Sequence, residues 1–133
     1  MTSDNPTEVP AAAVREASKG MLQKQLYAIF TTPTGGIEPI LQGLEEHLAF
    51  QMQLEREGIM YAAGPMWSDD ERHWDGDGLV VVRAGSRDEA IAIAERDPMH
   101  RSGARKFTVR PWMINEGTMT VRLDMSSQKF TVL

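Results

Sequence analysis

The residue best suited to move a proton in this chain is His47. It follows Ile40 by seven residues and Leu44 by three, which places it at the edge of an apolar stripe on a predicted helix. Histidine is the side chain that titrates near neutral pH without special help, so a partly buried histidine suits general acid–base catalysis. The alternative is a helix-face histidine that bonds a backbone carbonyl and does no chemistry. We take His47 as the candidate base.

Asp97 is the candidate partner of that histidine. Pro98 follows it, so we expect the second helix to end near Asp97, where the helix dipole disfavours an anion. Spacings of three from Ala94 and seven from Ala90 place its carboxylate on the buried side of that helix. An aspartate beside His47 would fix the tautomer of the ring and stabilise its charged form, as in catalytic triads. The alternative is that Asp97 only turns the chain before Pro98.

Three further residues are candidates for the wall of a substrate pocket: Trp67, His100 and Trp112. Trp67 lies with His73 and Trp74 in a polar, acidic loop that could close over a ligand, although an exposed loop is the alternative. His100 could donate to an anionic or phenolic oxygen, and the alternative for it is a solvated turn. These three residues form the predicted substrate-binding set.

Composition and motifs exclude several classes of function. The net charge is −5 and the basic residues are scattered, so we expect no nucleic-acid partner. The chain has no cysteine, which removes thiol nucleophiles, disulfides and thiolate metal sites, and its three histidines include no closely spaced pair. Neither a phosphate-binding glycine loop nor a Gly-x-Ser-x-Gly motif occurs. We therefore expect neither a metal nor a cofactor.

The sequence predicts a cytoplasmic protein without a membrane partner. The longest apolar runs, such as residues 79–82, are far too short to span a bilayer. The N-terminal region lacks the basic stretch and apolar core that mark a secretory signal. The partner that we expect is a small-molecule substrate.

Periodicity predicts four strands and two helices that would position the candidate residues. Alternating apolar residues indicate strands, and spacings of three and four indicate helices. The predicted strands are residues 22–32, 59–63, 79–84 and 106–114, and the predicted helices are residues 37–57 and 86–97. The order β-α-β-β-α-β is that of the ferredoxin-like fold, an α+β class with an antiparallel sheet.

The sheet is predicted to be buried on both faces. Two helices cover only one face of four strands, yet the first and third strands are apolar on both faces. In the first strand Tyr27 and Ile29 lie on one face and Leu26 and Ala28 on the other, and the third strand is apolar throughout residues 79–82. A second subunit packed sheet to sheet would cover the remaining face, so we expect a homodimer. The alternative is that the strands expose some apolar residues, which is common.

The chain is predicted to hold one domain with an appended segment at each end. At 133 residues it has little room for a second core. Residues 1–20 show no apolar period and are predicted to form a flexible tail that can be deleted with little loss of stability. The domain is predicted over residues 21–133, including a C-terminal extension at residues 118–133 whose alternating apolar residues indicate a hairpin.

Five short features together resemble the YciI-like family. They are Glu46-His47-Leu48, Gly58, Ala63-Gly64-Pro65, Asp97-Pro98 and Arg110-Pro111-Trp112, and the resemblance covers residues 22–117. It implies the dimeric α/β-barrel form of the ferredoxin-like fold and an active-site pair at His47 and Asp97. It also implies kinship with proteins linked to dehydrochlorination of chlorinated hydroxyhydroquinones, and with muconolactone isomerases. The segments up to residue 20 and after residue 117 depart from the shorter family pattern.

Two hypotheses on function follow. The first is a cofactor-free lyase of the dehydrochlorinase type, or an isomerase, that acts on a hydroxylated aromatic or quinoid intermediate of aromatic degradation. His47 would be its base and Asp97 the orienting partner. The second is a non-catalytic small-molecule binding or assembly protein that uses the same cleft. The ionisable residues His47 and Asp97 on apolar helix faces favour the first hypothesis, because a cleft that only binds a ligand does not need such a pair.

Overall fold

The computed structural model describes residues 7–133, which form two compact units. Gln25–Met113 form the larger unit, and residues 7–24 with Ile114–Leu133 form the smaller. In chain order the elements are α1 (Ala11–Ala17), β1 (Lys24–Pro33), α2 (Glu38–Arg56), β2 (Met60–Pro65), β3 (Gly78–Val82), α3 (Arg87–Glu95), α4 (Pro98–Arg101), β4 (Arg105–Ile114), β5 (Val121–Asp124) and β6 (Lys129–Val132). Within residues 7–133, no helix combines the length and apolar character needed to cross a membrane.

Strands β1 to β4 form one antiparallel sheet in the order β2-β3-β1-β4. Ile29 of β1 lies opposite Val80 of β3, and β2 pairs with the other edge of β3. The first strand of the unit, β1, is therefore central in the sheet, and the last strand, β4, lies beside it at the edge. This strand order, with α2 and α3 as the connecting helices, confirms the predicted α+β fold of the ferredoxin-like kind.

The core lies between one face of the sheet and helices α2 and α3. Alternation along β1 places Tyr27 and Ile29 on this face. The buried cluster consists of Tyr27, Ile29, Leu54, Val80, Val82, Ala90, Ile93, Ala94 and Val109. Removal of these apolar side chains from water is the main force that holds the helices on the sheet.

The other face of β1 carries Leu26, Ala28 and Phe30. Leu26 and Ala28 are buried, whereas Phe30 is 39% exposed. Tyr27 and Ile29, whose apolar character motivated the predicted dimer, lie on the helix side instead. A homodimer across the outer face of the sheet stays a prediction, with Phe30 as its exposed apolar residue.

Helix α2 carries the candidate base on its buried face. Ile40, His47 and Leu54 are its buried residues, and they follow one another at intervals of seven, which is about two helical turns. The helix ends before Gly58, whose φ of 73° is the left-handed conformation that commonly follows a helix. The predicted end of this helix at Gly58 is therefore confirmed, and His47 faces the protein interior.

The second predicted helix stops near Asp97, as expected, but Asp97 also begins a further short helix that the sequence did not predict. Helix α3 stops at Glu95, and α4 starts at Pro98 with Asp97 as its N-cap. Asp97 has an extended backbone, with φ −64° and ψ 126°, because a residue before proline avoids the helical region. Proline is favoured at the first position of a helix, so Pro98 both prevents α3 from continuing and starts α4. The predicted unfavourable dipole at Asp97 is wrong, since the N-terminal end of a helix favours an anion.

The smaller unit contains α1 and the hairpin β5–β6. No residue of α1 is buried, and the Leu22 amide donates to the Asn115 carbonyl at 3.2 Å. Leu123 of β5 lies opposite Phe130 of β6, which confirms the predicted C-terminal hairpin. Residues 1–6 of the predicted tail lie outside the described residues. That residues 1–20 can be deleted stays a prediction.

Candidate active site

His47 and Asp97 meet in the larger unit, although 50 residues separate them along the chain. His47 Nδ1 lies 2.7 Å from Asp97 Oδ2, and each side chain is 6% exposed. Helix α2 supplies the histidine from its buried face, and the junction between α3 and α4 supplies the aspartate. The two residues therefore form a buried, hydrogen-bonded pair.

Asp97 is held in its ionised form by its hydrogen bonds. Burial raises the pKa of the Asp97 carboxyl, but the hydrogen bond to His47, the attraction of that ring and the Met99 amide together lower the pKa below its usual value. Asp97 Oδ1 accepts the Met99 amide at 2.9 Å, which is the cap of α4. Both carboxylate oxygens thus have partners, and one of them is aimed at His47.

The surrounding groups fix the tautomer of His47. Ionised Asp97 can only accept, so His47 Nδ1 carries the proton and donates it to Asp97 Oδ2. Arg105 Nη1 lies 3.4 Å from His47 Nε2, and a guanidinium can only donate. His47 Nε2 is therefore the unprotonated nitrogen, which is the form able to take a proton from a substrate.

Arg105 is a third polar residue of the site, without a predicted role. It is only 5% exposed at the start of β4, and its Nε and Nη2 donate to the Gly76 carbonyl at 3.0 and 2.6 Å. Burial lowers the pKa of the Arg105 guanidinium, whereas the charges of Asp97 and Asp77 raise it. An arginine remains protonated under such conditions, so Arg105 places a buried positive charge beside His47.

Strand periodicity contains the signal that identifies Arg105. Side chains alternate between the two faces of a strand, so Arg105, Phe107 and Val109 point to the same side of β4. Val109 belongs to the core, and Phe107 packs against that core. Alternation therefore places Arg105 on the inward face of β4, either buried or at the edge of the core.

The loop before β3 closes over the site at Gly76. Its φ is 102°, and a Cβ at this position would lie 2.6 Å from Pro33 Cγ, so only glycine fits. In the same loop, Trp74 Nε1 donates to the Asp77 carbonyl at 2.8 Å. The Trp74 ring lies 6.0 Å from Arg105 Cζ, at the outer limit of a cation–π contact. This part of the polar loop is therefore packed on the site.

A cavity of about 210 Å³ opens beside His47. Its ionisable lining residues are the base His47, the cation Arg105 and the acidic Asp77. Its other walls are largely apolar and include Leu44 and Leu48 of α2 with Trp67 and Trp74 of the loop. A small apolar cavity with a few convergent polar groups is typical of a small-molecule site.

The model of the YCII-related domain matches residues 25–113 of this chain. The chain belongs to the YCII-related domain family. The resemblance to YciI-like proteins is thereby confirmed, and the matched residues coincide with the larger compact unit, Gln25–Met113. The family domain thus contains the pair and the cavity described above.

Among solved structures, the YCII-related domain is similar to the 5-chloro-2-hydroxyhydroquinone dehydrochlorinase (TftG) from Burkholderia phenoliruptrix AC1100, in complex with 2,5-dihydroxybenzoquinone. The TM-score is 0.54 at 22% sequence identity, and the match covers 65% of this chain and 92% of that chain. A likeness at this identity shows a shared fold. No curated protein matches this chain in sequence.

The YCII-related domain brings one predicted wall residue to the cavity and leaves another away from it. Trp67 lines the cavity and is 61% exposed. Trp112, 45% exposed on β4, is not among the residues that line it. Within residues 7–133, no three histidine, aspartate or glutamate side chains are grouped as ligands of a metal ion. The binding roles of both tryptophans stay predictions.

His100 lies on the Asp97 side of the pair and does not line the cavity. Burial lowers the pKa of His100, and Arg105 does so too, whereas the Ala94 carbonyl and Asp97 raise it. The neutral ring is satisfied on both sides, because Nδ1 donates to the Ala94 carbonyl at 2.7 Å and Nε2 accepts from the Thr31 hydroxyl at 2.8 Å. The predicted contact between His100 and a substrate oxygen stays a prediction.

Proposed function

We propose that this YCII-related domain is a cofactor-free enzyme that transfers protons on a hydroxylated aromatic or quinoid small molecule. The observation that carries the proposal is the buried His47–Asp97 pair, whose histidine lines an apolar cavity. A lyase of the dehydrochlorinase type is the reaction class we favour, with an isomerase as its nearest relative in chemistry. The shared fold with a dehydrochlorinase of a hydroxyhydroquinone supports this choice.

The proposed base is His47 Nε2. It takes the proton of a ring hydroxyl, and Asp97 holds the Nδ1 proton and stabilises the imidazolium that results. Trp67 and Trp74 offer aromatic faces to a planar ring. Trp67 would hold the substrate in the orientation that the proton transfer needs, whereas substrate contacts from Trp112 and His100, which do not line this cavity, stay predictions.

The same base supports two outcomes on such a ring. Return of the proton to a ring carbon converts a ring hydroxyl to a carbonyl, which completes an isomerisation. If that carbon bears chlorine, loss of a second hydroxyl proton with departure of chloride completes the elimination of hydrogen chloride. In both outcomes the protons leave ring hydroxyls and pass through His47. Chloride leaves with its bonding electron pair, so neither reaction needs an oxidant or a reductant.

The alternative is a binding or assembly protein that uses the same cleft. Such a protein needs the cavity but has no use for a buried aspartate that orients a histidine. Removing a carboxylate from water carries a desolvation penalty, and pairs of this kind concentrate at functional sites. The geometry of His47 and Asp97 therefore favours the enzyme.

We further propose that the protein is a cytoplasmic homodimer. The outer face of the sheet carries the half-exposed Phe30, which a second copy would cover. A face formed by a four-stranded sheet is a common surface for such pairing.

The proposed function is tested with 5-chloro-2-hydroxyhydroquinone and its dechlorinated hydroxylated relatives as substrates, by release of chloride and by the absorbance of the quinone formed. We expect His47→Gln to lower turnover at least about a hundredfold, since a general base contributes on that scale. His73→Gln is the matched control, because the His73 side chain is 72% exposed in the loop. Equal rates in His47→Gln and wild type, or binding without turnover by wild type, would favour the binding protein.

A further inference from the structure

Arg105 is a buried cation without an adjacent carboxylate. Among the described residues, no acidic oxygen lies within 4.0 Å of its guanidinium. Its partners are the Gly76 carbonyl and His47 Nε2, which are both neutral. Buried charges in proteins normally have an opposite charge beside them. Asp97 and Asp77 act on the Arg105 cation only from beyond contact distance, and Asp77 lines the same cavity. The absence of a contacting carboxylate points to an anion that enters from the cavity.

The guanidinium has N–H groups to spare on its cavity side. Nε and Nη2 are used on the Gly76 carbonyl, and Nη1 makes only the long contact of 3.4 Å with His47 Nε2. Each terminal nitrogen of arginine carries two N–H groups, so Nη1 retains donor capacity. Because Nη1 is next to His47 Nε2, an oxygen that gives its proton to Nε2 also lies within reach of Nη1.

We propose that Arg105 binds the ionised oxygen of the substrate, and that the substrates are planar, conjugated phenols or enols. The proposal rests on the proposed function, because it takes His47 as the base. It adds a substrate-binding residue and a chemical class: a ring whose hydroxyl is acidic enough to be bound as its oxyanion. Such an oxyanion forms a charge-assisted hydrogen bond with a guanidinium.

The balance of charge in the site supports this assignment. When the substrate O–H bond breaks and the Nε2–H bond forms, the electron pair stays on the substrate oxygen. The imidazolium of His47 then lies beside Asp97, and the oxyanion lies beside Arg105. Each new charge has an opposite neighbour. Without the oxyanion, protonated His47 would face Arg105 as a second cation, which is unfavourable at 3.4 Å in a buried site.

The shape of the cavity favours a ring over an extended acid. Its volume is about 210 Å³, with apolar walls from Leu44 and Leu48. The Trp74 ring lies beside Arg105, so a flat conjugated anion can contact an aromatic face and the guanidinium together. A flexible aliphatic carboxylate would leave these faces without a planar partner.

The test uses para-nitrophenol, whose phenolate form is yellow, and its methyl ether para-nitroanisole, which cannot ionise. We expect the wild-type protein to bind the phenolate in preference to the ether. We also expect bound para-nitrophenol to be yellow at a pH below its titration midpoint in water, because Arg105 stabilises the anion. Absorbance reports the ionisation of the bound ligand, and calorimetric titration reports the affinity of both ligands.

Substitution of Arg105 distinguishes its proposed role in binding the phenolate from its structural role in anchoring the Gly76 loop. Arg105→Met should weaken phenolate binding at least about thirtyfold, since one partner of a buried charge pair is removed, and abolish the colour change. Arg105→Lys keeps the charge and should retain part of both effects. Binding of para-nitroanisole should stay near wild type in both variants. Arg110→Met is the matched control, because Arg110 is exposed on the same strand, and it should behave as wild type.

The outcomes are distinct. Equal affinity of wild type for the phenolate and the ether, binding of neither at millimolar concentration, or an unchanged phenolate preference in Arg105→Met would overturn the proposal. Loss of para-nitroanisole binding in both Arg105 variants would also overturn it, because Arg105 would then only anchor the Gly76 loop. A phenolate preference that depends on Arg105, found together with unchanged turnover in His47→Gln, would contradict the catalytic function and leave the Arg105 site standing.

Discussion

At the scale of single residues, the hydrogen-bond partners of His47 determine which of its two ring nitrogens carries the proton. Asp97 is ionised and accepts the Met99 amide, so its other oxygen directs the proton of His47 to Nδ1. Arg105 can only donate, so it leaves His47 Nε2 as an acceptor. In the proposed function, His47 is thus in the form of a base before a substrate enters, and the first proton transfer would need no rearrangement of protons.

The lowered pKa of the buried His100 ring predicts that mild acid destabilises the folded protein. Burial lowers the pKa of His100 in the folded state below its unfolded value of about 6.5. Between the two pKa values the unfolded chain binds the additional proton, so the free energy of unfolding falls as the pH falls below about 6.5. Asp97 acts in a separate window, because its lowered pKa removes stability only below about 3.8.

We therefore expect His100→Gln to flatten the decline of melting temperature between about pH 6.5 and pH 5. The glutamine can still donate to the Ala94 carbonyl, but it does not titrate. Melting curves of wild type, His100→Gln and the control His73→Gln check this expectation. An equally steep decline in His100→Gln and wild type would show that another group takes up the proton.

At the scale of secondary structure, much of the fold and half of the site could be predicted from periodicity. The strands and long helices followed from alternation and helical spacing, and the spacing around His47 placed it on a buried face. The stop of the second helix near Asp97 is predicted correctly, but the role of Asp97 as an N-cap is not, because Asp-Pro is compatible both with a helix stop and with an N-cap followed by proline at the first helical position. Its side chain was nevertheless expected on the correct side.

Alternation along β4 places Arg105 on the inward face, but its contacts and the cavity beside it could not be predicted in the same way. The contact that buries Arg105 is made by the Gly76 carbonyl, 29 residues away, in a loop with no periodic pattern. A charged residue at the start of a strand reads as a surface residue unless its inward neighbours are considered. The direction of Trp112 and the internal hydrogen bonds of His100 likewise depend on tertiary packing that local spacing does not encode.

At the scale of the whole molecule, the outer face of the sheet is the surface that a second copy would cover. We expect a homodimer by light scattering at micromolar concentration. Phe30→Asp should shift it toward the monomer, because an unpaired charge would be buried at the interface. Leu41→Asp is the control, since Leu41 is 52% exposed on α2, away from this face. A monomeric wild type, or equal effects of both substitutions, would remove the proposed interface.

The central claim is that His47 and Asp97 act as one unit in proton transfer. Its most direct measurement is the turnover of a hydroxylated quinoid substrate by His47→Gln, Asp97→Asn and the double variant, with melting curves for each. In Asp97→Asn the introduced asparagine can still cap α4 through the Met99 amide, but its own amide would donate to His47 and favour the tautomer that has no lone pair on Nε2. We expect each single variant to lose at least about a hundredfold in turnover and the double variant to lose little more than the worse single one. Because the pair is buried, the melting temperatures should fall, but each variant should remain folded at the assay temperature, so the loss of turnover exceeds any loss of folded protein. Near-wild-type rates in all three variants, or losses that multiply, would contradict the account.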